Sequence, residues 1–221
     1  MALADQLKFL AELKKNNNRD WFLSQKARYE DYKKDYHALI AKFLDVLKPG
    51  DPALERLEVK NCTFRINRDI RFSKDKSPYK THMGLWFNTN SGHANGPGYY
   101  VHLEKGKSFI AGGFYQPTAE ELKKFRKEIA FFHDELEAVI TSKDFKSVFG
   151  DLNREDALKT APKGFEKDHP AIEFLKMKSF TASAPLSDKD LSDKDFVEKT
   201  AEKMLTLKPL NDFLNRALEG E

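Results

Sequence analysis

Seven lysines and arginines crowd residues 60–82, KNCTFRINRDIRFSKDKSPYKTH, against two aspartates, a net of +5 in a chain whose formal total is +3. The basic excess is therefore concentrated in one short segment, and that asymmetry is more telling than the total. Arg65, Arg68 and Arg71 recur at every third position. Each guanidinium offers a planar fork of donors and stays charged, so the three together can clamp a phosphate or carboxylate bidentately. Asp69 and Asp75 lie among them, as carboxylates that would position the cations or neutralise them. Lys76, Tyr79 and Lys80 follow a polar loop stiffened by Pro78 and would close the site. Three readings stand side by side. The first, and the leading one, is a site for a small anionic ligand. The second is a nucleic-acid surface with Phe72, Tyr79 and Trp86 as stacking platforms. The third is an Arg/Asp ion-pair network that locks a loop to a sheet with no ligand.

Were the segment to support a reaction, Asp69, Tyr79 and His82 are the first candidates for proton transfer. A cluster of cations lowers a carboxyl pKa, which makes Asp69 a poor general acid. His82 and His102 fall on the more polar parity of two predicted strands. Pairing of those strands could bring them close, as an acid–base pair or two metal ligands; the favoured reading is two surface or hydrogen-bonded histidines. No His-Glu-x-x-His or Cys-x-x-Cys spacing occurs, so no metal site is expected, and nothing points to a particular cofactor. Arg19, at the start of a helix, could reach the same anion. Gly92, Gly96 and Gly98 share one connector, but it lacks the Gly-Lys-Ser/Thr of a phosphate loop and reads as a mobile hairpin connection. Gly112-Gly113 inside a strand suggests a bulge or a close approach of another backbone or a ligand, with simple packing the favoured account.

The elements that must position these residues follow from periodicity. Leu3, Leu7, Leu10 and Leu13 predict an amphipathic helix, stopped by Asn16-Asn17-Asn18. Tyr29, Tyr32, Tyr36, Leu39, Phe43 and Val46 predict a longer one, ending before Pro49-Gly50-Asp51-Pro52. Trp21 and Phe22 would anchor it to a sheet. Alternation predicts strands at Cys62–Asn67, around Met83–Phe87, at Tyr99–Glu104 and, after a tight turn at Lys105-Gly106, at Ser108–Tyr115. Thr118 and Glu121 form a capping box for a helix whose stripe is Leu122, Phe125, Ile129, Phe132, Leu136 and Val139. A long loop follows Gly150, then a short helix at Ala171–Lys176, a strand at Ser179–Ser183 and a helical tail broken at Pro209. Helices, then strands, then helices predict an α+β fold, not a parallel sheet. The expectation is a single domain, 1–221, with an antiparallel sheet of four or five strands. N-terminal helices fill about 3–47, a β-rich region about 59–116 and a helical region about 118–219.

Length and composition exclude several classes. The 221 residues are 40% hydrophobic and 33% charged, enough for a core and too polar for a membrane span. Met1–Leu7 reads as the start of a helix and not as a secretion signal. A single cysteine, Cys62, allows no internal disulfide, and its alternation with apolar neighbours makes it a small core residue. The expected location is cytoplasmic. The expected partners are a small anion or, less favoured, nucleic acid, with no membrane; no oligomeric state is implied.

The run Arg65-x-x-Arg68-Asp69-x-Arg71-Phe72-x-x-x-Lys76-x-x-Tyr79, with Asp75 before the lysine, resembles the signature of a family of bacterial proteins known as domain of unknown function 2461. Similar stretches are Asn17-Asn18-Arg19-Asp20-Trp21-Phe22, Gly98-Tyr99-Tyr100-Val101, Gly112-Gly113-Phe114-Tyr115-Gln116-Pro117, Pro162-Lys163-Gly164-Phe165 and Asp168-His169-Pro170. The resemblance covers nearly the whole chain. It implies a one-domain length and no established reaction.

Overall fold

In the computed structural model, residues 3–93 and 95–219 are described; Met1-Ala2 of the predicted first helix and Ala94 of the glycine-bearing connector lie outside the described residues. Helix α1 (Leu3–Lys15) buries Leu7, Phe9, Leu10 and Leu13, the stripe that spacings of three and four dictate. Asn18 then opens a short helix, α2 (Arg19–Ser24), its side chain accepting from the Trp21 N–H, which satisfies one of the free donors of a helix start. Helix α3 (Lys26–Leu47) buries Tyr32, Tyr36, Ile40, Phe43 and Leu47 and packs against α1. Trp21 and Phe22, expected to anchor this helix to the sheet, make ring contacts with α1, α3 and the basic segment. Trp21 stacks on Phe9 of α1, and Phe22 packs against Tyr29 and Tyr79.

Four strands, β1 (Met83–Asn88), β2 (Gly98–Leu103), β3 (Phe109–Phe114) and β4 (Phe180–Pro185), form one antiparallel sheet in the order β1-β2-β3-β4. Met83, Leu85 and Phe87 of β1 and Tyr99, Val101 and Leu103 of β2 are buried, while Trp86, Tyr100 and His102 are half-buried on the other parity, the period-2 pattern of a strand. The connector between β1 and β2 is a hairpin connection as expected; Thr89 bonds the Pro97 carbonyl through both its N–H and its hydroxyl, and Asn88 bonds the His93 carbonyl. Gly113 has φ of 98°, and a Cβ there would lie 2.0 Å from the Phe180 carbonyl oxygen. Close approach of β4 is therefore what requires glycine at this position.

The remaining helices are α4 (Ala119–Thr141), α5 (Lys143–Phe149), α6 (Ile172–Leu175), α7 (Asp188–Leu191), α8 (Phe196–Leu205) and α9 (Lys208–Glu219). The Thr118–Glu121 capping box is present. Phe132 departs from the expected stripe of α4. Its φ and ψ of −128° and 32° break the helix there, the side chain is exposed, and burial resumes at Leu136 and Ile140. Pro209 does not break the tail from within; it sits in the first turn of α9, where no N–H is needed.

The strand expected at Cys62–Asn67 does not form. Val59–Cys62 is a 3-10 turn, and beyond it only single bridges pair Thr63 with Leu85 and Asn67 with Tyr79. The physical reason lies in competing partners. The Phe64 N–H goes to the Tyr36 hydroxyl at 3.0 Å and Pro78 has no N–H to extend a ladder. Contacts within this α+β fold gather into two compact units. One contains the described residues through Phe87 with Tyr100–Ile110 and Pro185–Ala201; the other contains Asn88–Tyr99, Ala111–Ala184 and the chain from Glu202 onward. All residues of the site below belong to the first.

Candidate functional site

The basic segment is an irregular hairpin. The Arg68 N–H donates to the Pro78 carbonyl at 2.9 Å and the Lys80 N–H to the Ile66 carbonyl at 2.8 Å. Asn17 takes the place of a further strand: its side chain accepts from the Tyr79 N–H at 3.0 Å and donates to the Tyr79 carbonyl at 2.9 Å. The Tyr79 ring lies on Phe22 with centroids 4.0 Å apart. The asparagine run that stops α1 thus also holds the base of the hairpin.

The three arginines do not converge on one point. Arg68 donates to Asp75 at 2.5 Å, to the Ser77 carbonyl at 3.0 Å and to the Ser73 hydroxyl at 3.4 Å. Asp75 also accepts from the Ser77 hydroxyl and N–H; those two bonds and Arg68 pull its carboxyl down to about 2. Arg71 clamps Asp69 bidentately, at 2.7 Å for the closest pair, and holds that carboxyl below its usual range. Lys76 donates to the Ile70 carbonyl at 2.9 Å. These five charged residues satisfy one another or polar groups of the loop.

Arg65 and Lys80 are different. Neither side chain has a hydrogen bond or a carboxylate partner among the described residues. The Lys80 ammonium sits 5.0 Å from the centre of the Phe64 ring. Burial, and then the charge of Arg65, push its pKa down. Arg65 is exposed, and its charge helps to lower Asp69, but among the described residues no carboxylate comes within ion-pair distance of either cation, and the positive field left between them is one that an anion would relieve. Both line a cavity of about 360 Å³ whose walls include Tyr29, Tyr32, Tyr36, Phe64 and Tyr100, and no Asp or Glu lines it. A second cavity, of about 460 Å³, is lined by Lys14, Asn17, Arg68, Asp69, Asp75 and Tyr79 among others. Lys80 and His82 line both.

Strand pairing does bring His82 and His102 together, with rings stacked at 4.4 Å. His102 also stacks on Phe109 at 4.7 Å. Its Nδ1 lies 3.1 Å from the Tyr100 hydroxyl and its Nε2 3.6 Å from Glu104, and Glu104 pairs with Lys14 at 2.7 Å. Tyr100, His102 and Glu104 thus form one chain along the polar parity of β2. Burial, then His102 and Lys80, push His82 down to about 4, and burial also lowers His102. Both imidazoles are neutral at pH 7. Burial alone would raise Glu104, but Lys14 and His102 outweigh it and hold the carboxyl below its usual range. Among the described residues no three His, Cys, Asp or Glu side chains form a metal-holding group.

Sequence reasoning missed the cavity wall. Tyr29, Tyr32 and Tyr36 read as a core stripe by spacing alone. Their signal was chemical: three tyrosines in place of leucines bring hydroxyls that need partners. Tyr36 shows it, donating to the Gly84 carbonyl at 2.5 Å while accepting from Phe64. Gly84 makes room as well, since a Cβ there would lie 2.8 Å from the Tyr100 hydroxyl.

Fold and site together define an α+β protein with a cation-bearing, aromatic-walled cavity beside a self-paired basic hairpin. A profile of the conserved hypothetical family DUF2461 matches residues 5–213. The chain belongs to that family. No curated protein and no solved structure matches it.

Proposed function

We propose that this protein binds a small phosphate- or carboxylate-bearing ligand in the tyrosine-walled cavity, with Arg65 and Lys80 as its cationic contacts. The observation that carries the reading is the pair of cations without carboxylate partners at a cavity that no Asp or Glu lines. Charge-assisted hydrogen bonds to such an anion are the strong kind, and the volume lies within the range of small-molecule sites. Arg68, Asp69, Arg71, Asp75 and Lys76 act one step back, by fixing the hairpin that presents Arg65 and Lys80. Tyr79 closes the hairpin base. The buried free thiol of Cys62, whose pKa burial pushes up to about 12, fits a reducing cytoplasm.

Thermal melting against inorganic phosphate and acetate at fixed ionic strength tests the proposal. Ligand at a hundred times its dissociation constant adds about 2.7 kcal/mol, or about 5–10 °C in this size range. Arg65→Ala and Lys80→Ala should melt like the parent and lose that shift. Absence of any shift with either anion would return the basic segment to a purely structural role. A second reading, a nucleic-acid surface, is favoured by Phe72, which is 95% exposed with the Arg71 guanidinium 5.8 Å from its ring centre. Several phosphate contacts would make oligonucleotide affinity fall steeply with salt, whereas a single pocket anion gives a shallow dependence.

A further inference from the structure

We infer that the ligand's non-ionic part is an aromatic ring and not a hydroxylated sugar; this rests on the anion reading above and names the ligand class for the same cavity. An inorganic anion at Arg65 and Lys80 fills only part of the roughly 360 Å³, so the wall beyond the cations selects the rest of the molecule. That wall includes four tyrosines and a phenylalanine, and two of the four tyrosine hydroxyls are already engaged. The Tyr36 hydroxyl is used twice, on the Gly84 carbonyl and the Phe64 N–H. The Tyr100 hydroxyl is turned to His102 Nδ1 at 3.1 Å, in space that the missing side chain of Gly84 leaves open. These two rings therefore meet a ligand as carbon. Phe64 adds a ring that is 45% exposed, set edge-on to Tyr100 at 6.3 Å, and the neutral His82 adds another flat face. Aromatic groups favour such offset and edge contacts. A sugar set against Tyr36, Phe64 and Tyr100 would lose water from its hydroxyls and meet ring carbon in return.

Calorimetric titration with inorganic phosphate, glucose 1-phosphate and phenyl phosphate, at one ionic strength and pH 7.5, tests this. Phenyl phosphate should bind at least about tenfold more tightly than glucose 1-phosphate, a difference of about 1.4 kcal/mol, and its ring protons should move upfield in the NMR spectrum. Phe64→Leu and Tyr29→Leu, at one exposed and one half-buried position, should each shrink that ratio while inorganic phosphate still binds. Equal affinities, a tighter sugar phosphate, or a ratio that neither variant changes would each overturn the ring assignment and leave the anion site standing. Failure of all three phosphates to bind would overturn both readings together.

Discussion

The Arg68 side chain is 26% exposed and reaches three acceptors of its own loop, whereas Arg71 is 76% exposed and touches one carboxylate two residues away. Proximity in sequence hides this difference, and the energetics should separate the two. Removing Arg68 frees the Ser77 carbonyl and strips Asp75 of its cation, so the loop loses the tie between its two arms. Removing Arg71 leaves Asp69 in water, where an exposed pair is worth little. Arg68→Ala should therefore lower the melting temperature by about 2–6 °C, and Arg71→Ala should leave it unchanged. Equal losses in thermal denaturation would mean that both pairs are needed to hold the hairpin. Arg65, with no partner of its own, belongs to neither case.

At the scale of elements, the hairpin of residues 66–80 is a strand pair that never becomes one. Two backbone bonds close it, Pro78 blocks its extension, and Asn17 completes it by pairing with both backbone groups of Tyr79. Asn17→Ala should cost about 1–2 kcal/mol, because two part-buried backbone groups lose their partner. Amide exchange should locate the loss, with Tyr79 and Lys80 exchanging faster and the strands of the sheet unaffected. Uniformly faster exchange would refute a local clamp. The same element shows where sequence reading stopped. Alternation at Cys62, Phe64 and Ile66 is a genuine period-2 pattern, but period says nothing about whether a hydroxyl on another helix will take the Phe64 N–H. The leucine stripe of α1, the capping box of α4 and the three strands between Met83 and Phe114 depend on local rules and were legible. The cavity wall depends on α3 meeting residues 63–66 and Tyr100, a long-range meeting that no local window contains. Arg65 and Lys80 were legible as cations, and only the structure distinguishes them from Arg68 and Arg71, because pairing is decided by which carboxylate lies within reach.

For the molecule as a whole, the half-buried histidines His82 and His102 couple stability to pH. His82 faces His102, Lys80 and Arg68, all of which disfavour its protonation, and Glu104, which favours it. In the unfolded chain an imidazole titrates near ~6.5; in the fold His82 titrates at about 4. Between those values the unfolded chain holds a proton that the folded chain refuses. Stability is thus fully present above about pH 6.5 and falls as the pH drops toward 4. His102, shifted in the same direction, deepens the loss. Carboxylates with lowered pKa values, Asp75, Asp69 and Glu104 among them, lose their contribution at lower pH, so the interval from about 6.5 to 5 reports mainly on histidine. Urea unfolding across that interval should show the parent losing stability steadily. His82→Gln, which keeps a polar side chain without a titrating proton, should lose less, with the remaining slope belonging to His102. A slope identical in the two proteins would mean that His82 is as free to protonate in the fold as in water, and the stacked pair would then be no barrier to charge beside Lys80.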